Sequence, residues 1–428
     1  MSQESANILK DVKTIGSENM REFDYVIVGG GLAGGNAAIS IRENDTTGSI
    51  CIITDENHIP YDRVPLSKNY LLGKMKREVL YVKKSDFYAT QKIETITDTR
   101  VTGLDPKNHV VRISNETDIH YKKLLLATGG QARRLSIPGS ELDDVFYLRT
   151  VDDAEKIEAA MQRSKSAIVI GGGFIGCELA STFTKKDINT TIIEAGPKIL
   201  GRAFDSDTAS WIESYFERRR VRIMTKTTPV ELQDNNGKVT GVKLQSGEVV
   251  PADFVVIGIG INPNVELAKE AGLQVDNGII VNEYMRTSNP DIYAVSDVAR
   301  FYSPVFGRHM RLEHYDLAVK QGRLAGENMT GKTKPFEDLP YFFSFMFDIR
   351  IEAYGDLSKY DTVITRGNPT GNGNFTKFYL DDGTVNAVIM VTRKENVEDI
   401  KQLIRLRKKI DDPASLGDES TKIEAMIT

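Results

Sequence analysis

Twice along this chain a short apolar run breaks into glycines and reopens as a run of small residues, and few folds accommodate that order. At the first place Tyr25-Val26-Ile27-Val28 reads as a buried strand, Gly29-Gly30-Gly31-Leu32-Ala33-Gly34 follows at once, Ala33 to Arg42 supplies a helix, and Ser49 to Thr54 a second strand. This is the grammar of a βαβ unit that takes a dinucleotide. Gly29 permits the tight turn, Gly31 lets backbone approach a pyrophosphate, Gly34 permits close helix packing, and the helix N-terminus favours phosphate. Asp55 ends the second strand where a carboxylate accepts hydrogen bonds from an adenosine ribose, with Glu56 the alternative. The same order returns with strand Ala167 to Ile170, Gly171-Gly172-Gly173-Phe174-Ile175-Gly176, helix Ile175 to Lys185 and strand Asn189 to Glu194. Glu194 repels a 2′-phosphate and accepts from a free 2′-hydroxyl, which predicts NADH over NADPH. Lys198 and Arg202 lie just downstream and leave open how strict that preference is.

The rest of the chain fits around these units. Arg100 to Ile113 and Ile119 to Ala127 read as strands, the latter running into Thr128-Gly129-Gly130, and Asp234-Asn235-Asn236-Gly237 reads as a hairpin turn. Beyond Gly331 an aromatic stretch, Tyr341-Phe342-Phe343, leads to alternating strands at Phe375 to Leu380 and Val385 to Val391. Asn396 caps a last helix carrying Val397, Ile400, Leu403, Ile404 and Ile410 on one face, with Pro413 helping to end it. The fold class is therefore α/β, two Rossmann-like dinucleotide-binding domains plus a C-terminal α+β domain. The expected divisions are a mobile arm at 1–22, a discontinuous first domain at 23–144 and 273–330, a second at 145–272, and the third at 331–428.

Charge and cysteine usage remove several functions. With 55 basic against 60 acidic residues and a net charge of −5, nucleic acid is not expected as a partner. Met1 to Lys10 is polar and no long apolar run occurs, so no membrane span is expected and the cytoplasm is the default location. Two cysteines, Cys51 and Cys177, form neither a disulfide framework nor a metal-ligand cluster.

Several separated motifs carry a more specific resemblance. Pro60-Tyr61-Asp62-Arg63-Val64-Pro65-Leu66-Ser67-Lys68, Gly258-Ile259-Gly260-Ile261-Asn262-Pro263-Asn264, Thr287 to Val298 and Arg311-Leu312-Glu313-His314 resemble the FAD-dependent pyridine nucleotide oxidoreductases. Within them the branch is that of ferredoxin reductases, monodehydroascorbate reductase and apoptosis-inducing factor. The resemblance implies FAD at the first glycine string and NADH at the second. It implies flavin-side contacts from Arg63, Lys68, Val101, Thr128, Gly129 and Arg149, and from Asp297 on the ribityl chain. Glu313, His314 and Phe343 complete that side, and the helix beginning near Glu313 is expected to aim its positive end at the flavin. Phe174, Ile175, Gly260 and Glu352 are implied on the nicotinamide side. Lys68 and Glu178 are implied to meet as an ion pair beside the flavin, with Phe174 guarding the face where hydride passes. Electrons then go directly to an acceptor, foremost a small ferredoxin-like iron-sulfur protein, for which Arg405, Arg407, Lys408 and Lys409 of the last helix are the candidate docking residues. A redox-sensing flavoprotein similar to apoptosis-inducing factor, an NADH oxidase, and a monodehydroascorbate or quinone reductase are the alternatives, and a homodimer stays open. Ser296 stands where the family usually has Gly, and Phe343 where ferredoxin reductases commonly have Trp.

Overall fold

The computed structural model describes residues 21–115, 117–370 and 373–427. The arm expected at 1–22 lies outside it except for Arg21 and Glu22, which are already strand: Arg21–Val28 pairs from its first residue with the strand Asp118–Leu126. Full burial of Val26 and Ile27 explains why this apolar run is a central strand.

The first parallel sheet runs Ile93–Ile96, Ile50–Ile53, Arg21–Val28, Asp118–Leu126, Ile292–Ala294. The second runs Arg222–Met224, Asn189–Ile193, Ser166–Ile170, Phe254–Ile257, Val145–Tyr147, also all parallel. In each, the strand that leads into the glycines sits at the point where strand order reverses, and that reversal opens a crevice at the strands' carboxyl ends. The stretch expected as one strand over Arg100 to Ile113 is two, Val101–Asp105 and Val110–Ile113, because the chain reverses through Asp105–His109 with His109 at φ 55°. The Asn236-Gly237 turn joins Pro229–Asn235 to Lys238–Leu244 with both residues at positive φ, as a two-residue hairpin demands.

The C-terminal sheet is antiparallel, in the order Tyr341–Met346, Ile349–Gly355, Thr384–Val391, Asn374–Asp381, Thr362–Asn368. One face, with Tyr354, Phe378, Val388 and Met390, is covered by Ile400, Leu403 and Ile404 of the last helix. The other, with Ile351, Phe375, Tyr379 and Ile389, packs on the helices of the second unit. That last helix is Val397–Leu406, capped by Asn396 as expected, but Arg407 turns left-handed at φ 50° and stops it. Arg407, Lys408, Lys409 and Ile410 therefore lie beyond the helix, and Pro413 opens a separate short turn instead of ending it. The basic run is no helix face: Arg407 turns inward to Asn386 Oδ1 at 2.6 Å, and Lys409 pairs with Asp382. Among the described residues no helix is long and apolar enough to cross a membrane.

Candidate active site

Both glycine turns have the same construction. Gly29 and Gly171 adopt φ of 118° and 107°, and a Cβ on either would strike a carbonyl oxygen of a neighbouring strand end, Ala127 or Gly258. Gly34 and Gly176 lie so close to Gly29 and Gly171 that an added Cβ would fall 2.1 and 1.9 Å from their oxygens. Gly31 and Gly173, by contrast, face open space, with nothing within 4 Å of a Cβ position, and no side chain caps the helices Leu32–Asn44 and Phe174–Lys185 that follow. Unfilled space over uncapped amides is the shape and polarity a pyrophosphate fits.

Polar groups from distant segments gather beside the first turn. Arg63 donates to Glu56 Oε1 at 2.5 Å and to the Arg149 carbonyl at 2.9 Å, and the Tyr61 hydroxyl donates to Glu56 Oε2. Arg149 reaches Asp297 at 3.0 Å, while Thr128 Oγ donates to the Asn264 carbonyl at 2.9 Å. Ser296, at φ 66°, donates its N–H to Gln321 Oε1. The helix expected near Glu313 is Tyr315–Met329, with His314 at its N-cap and no side-chain cap; Glu313 stays outside it, paired with Arg311. Burial pushes His314 down to about 4 against the pull of Asp297, so it is neutral at physiological pH, and its Nδ1 is buried without a partner, as is Gln321 Nε2. Buried polar atoms rarely stay unpaired in a finished site, so these two suit a polar heterocycle.

The Pro60–Lys68 loop and the helix after the second turn meet at Glu178, 4% exposed. Its Oε2 accepts from Lys68 Nζ at 2.6 Å and Ser67 Oγ at 2.5 Å, and its Oε1 accepts from Ser344 Oγ at 2.6 Å. Three donors from two other segments complete a carboxylate that burial alone would disfavour. Lys68 sits at a kink, φ −128° and ψ −105°, inside the Leu66–Tyr70 turn. Phe174, opening the second helix, meets Phe342 edge-on at 5.1 Å and Phe204 at 5.7 Å, and Phe342 is in turn 5.0 Å from His314.

The family model for pyridine nucleotide-disulphide oxidoreductases matches residues 23–322, and one for a reductase C-terminal domain matches 341–427. The chain belongs to that oxidoreductase family. Putidaredoxin reductase CamA of Pseudomonas putida is 37% identical over 94% of this chain and 96% of its own length. Among solved structures, a ferredoxin reductase from Rhodopseudomonas palustris superposes with a TM-score of 0.90 at 33% identity, covering 95% of this chain and all of that one. The covalent putidaredoxin reductase–putidaredoxin complex matches with a TM-score of 0.90 at 36% identity, over 96% of this chain and 99% of that one.

Within this oxidoreductase frame the second turn is closed by Glu194, whose oxygens accept the N–H groups of Gly172 and Gly196, each at 2.6 Å. Lys198 pairs with Glu213 at 3.1 Å, Arg202 is exposed, Ile175 is 43% exposed at the helix mouth, and Gly260 turns at φ 100°. At the first turn the residue in Glu194's register is Thr54, packed under Gly30; Asp55 is one place further, exposed and paired with Arg100 at 3.2 Å. Val101 packs on the edge of the first core.

Two expected residues, on the strand pair Tyr341–Met346 and Ile349–Gly355, take the opposite face from Phe342 and Ser344. Side chains of one strand alternate faces, so Phe342 and Ser344 face Phe174 and Glu178, while Phe343 faces away, 6.0 Å from Tyr315. Glu352 pairs across from Phe343, shares its face, and accepts from the Tyr341 hydroxyl at 2.9 Å and from Arg350 at 2.7 Å. Ser67, Ser344 and Phe342 were not singled out from sequence; the aromatic run signals a strand there but not its parity. Both cysteines are free and buried in separate cores: burial pushes Cys51 up to about 12 and Cys177 well above the ordinary thiol range.

Proposed function

We propose that this protein is an NADH-dependent flavoprotein reductase that delivers electrons directly to a small ferredoxin-like iron-sulfur protein. Residues 23–144 and 273–330 would hold FAD, 145–272 NADH, and 331–428 would close the junction. The observation that carries this is the convergence on Glu178: flavin loop, nicotinamide helix and C-terminal strand meet at one buried, fully bonded carboxylate. FAD, when bound, would supply the ability to accept one hydride, with its two electrons, and to release those electrons singly.

The chain's own task is placement. Arg63, Arg149 and Asp297 hold the ribityl and pyrophosphate end, and Gly31 and Gly173 admit the phosphates. His314, neutral and at an uncapped helix start, presents the helix's positive end to the ring without adding a charge of its own. Lys68, fixed by Glu178, keeps a cation beside the reacting face, and Phe174 with Phe342 excludes water from it. The compartment we infer is the cytoplasm, a reducing setting that suits two unpaired thiols.

Similarity to reductases of iron-sulfur partners favours that acceptor class over the others. Anaerobic reduction by NADH, followed by mixing with ferredoxin, rubredoxin, quinone and oxygen in turn, tests it. Fast reoxidation by ferredoxin is expected; a reduced state that persists with every acceptor would refute it and favour a redox-sensing role.

A further inference from the structure

We propose that Glu213 sets coenzyme choice at the second turn by withholding Lys198 from the 2′-position of the adenosine ribose. The inference rests on the reading of that turn as the NADH site. Lys198 belongs to the segment that wraps the turn, where the Leu200 N–H donates to the Gly172 carbonyl at 2.8 Å and the Gly196 N–H to Glu194 Oε1. A cation so placed is the usual means of accommodating a 2′-phosphate. In this chain its Nζ is held 3.1 Å from Glu213 Oε2. The other carboxylate oxygen accepts the Ile199 N–H at 3.1 Å, so the acid is anchored to backbone and does not travel with the lysine. Glu213 comes from the separate helix Ser206–Glu217, and its side chain is 16% exposed against 30% for Lys198, which keeps the pair off the surface where screening is strongest. Two further cations of this region are Arg202, exposed, and Lys226, whose backbone N–H donates to the Gly196 carbonyl. Two acids thus act on one choice: Glu194 repels the phosphate directly, and Glu213 ties up the lysine that would offset that repulsion.

The test is Glu213→Gln in the full FAD-loaded chain, read by calorimetric binding of 2′,5′-ADP and 5′-AMP and by kcat/KM for NADPH and NADH. Binding of 2′,5′-ADP is expected to tighten by about fivefold, the order of one partly exposed ion pair. Affinity for 5′-AMP is expected to hold, and the NADPH-to-NADH ratio to rise in step. Adding Lys198→Met should abolish the gain. General loosening of the fold would weaken both nucleotides and cannot imitate this pattern. Unchanged 2′,5′-ADP affinity with normal 5′-AMP binding, or a gain that survives loss of Lys198, overturns the proposal. Should Glu213→Gln not accumulate, Lys198→Met alone decides: a tied lysine predicts no change with NADPH, and a fall in NADPH use overturns it. Failure of NADH to reduce the flavin at all would instead strike the assignment of the turn.

Discussion

At Glu178 a single carboxylate collects Lys68, Ser67 and Ser344, and the chemistry of that point is open to direct test. Lys68→Ala is expected to retain FAD but slow flavin reduction by NADH, because a buried acid that loses its cation is left uncompensated and disturbs the surroundings of the ring. Stopped-flow bleaching at the wild-type rate would show that the pair is only a bridge between segments. Glu194 carries a second prediction. A preference for NADH of at least about tenfold in kcat/KM follows from one charge repulsion and one lost hydrogen bond, and Glu194→Ala should narrow it. Equal use of both coenzymes by the native protein would contradict this. The Lys68–Glu178 pair was legible because the Pro60–Lys68 motif resembles a known flavin loop. Ser67 and Ser344 were not, since a serine in a loop or strand gives no signal until its neighbours are placed. Phe343 attracted attention over Phe342 because it stands where ferredoxin reductases commonly have Trp, whereas the side of the strand each aromatic takes follows only from the register Phe343↔Glu352.

Elements pack around the first site with little slack. The helix Leu32–Asn44 lies against Tyr315–Met329 through Gly322 and Gly326, where an added Cβ would fall 2.4 Å from the Ala33 oxygen and 2.6 Å from that of Ala37. Gly322→Ala is therefore expected to destabilise by about 1–3 kcal/mol through overpacking, and to loosen FAD because both helices begin at the proposed FAD site. A melting temperature and FAD retention on desalting that match wild type would defeat that claim. At this scale the two βαβ units were readable from glycines and apolar runs alone. The helix end at Arg407 was not: its apolar spacing continues to Ile410, and a left-handed arginine carries none of the glycine signal that usually marks a stop. The reversal at Asp105–His109 did carry a signal, Pro106 directly after Asp105, whose carboxylate accepts the N–H groups of Lys107 and Asn108 and the Asn108 side-chain amide.

Across the whole molecule, the C-terminal sheet is clamped to the second unit by Asp205, which accepts from Lys377 at 2.8 Å and the Tyr379 hydroxyl at 2.6 Å while capping Ser206–Glu217. Burial pushes the Asp205 carboxyl up, but Lys377 and the bonds from Thr208 and Tyr379 outweigh it and hold it at about 2. Its folded pKa is thus below the ordinary value of 3.8, so the clamp's contribution is present above that value and lost as pH falls towards 2. Lys377→Met, leaving the acid unpaired, is expected to cost ~3 kcal/mol and to move acid unfolding of the junction to higher pH. An unchanged acid midpoint would remove the clamp from the account. Nothing in the sequence announced this pair, whose members lie 172 positions apart. The central claim, direct delivery from flavin to a one-electron acceptor, is tested most sharply with both thiols removed. Anaerobic Cys51→Ser, Cys177→Ser protein, given NADH and excess ferredoxin, is predicted to reduce two ferredoxins per NADH at the native rate. A variant that binds FAD and is reduced by NADH normally, yet passes no electrons to ferredoxin or any other acceptor, would show a thiol relay and contradict it.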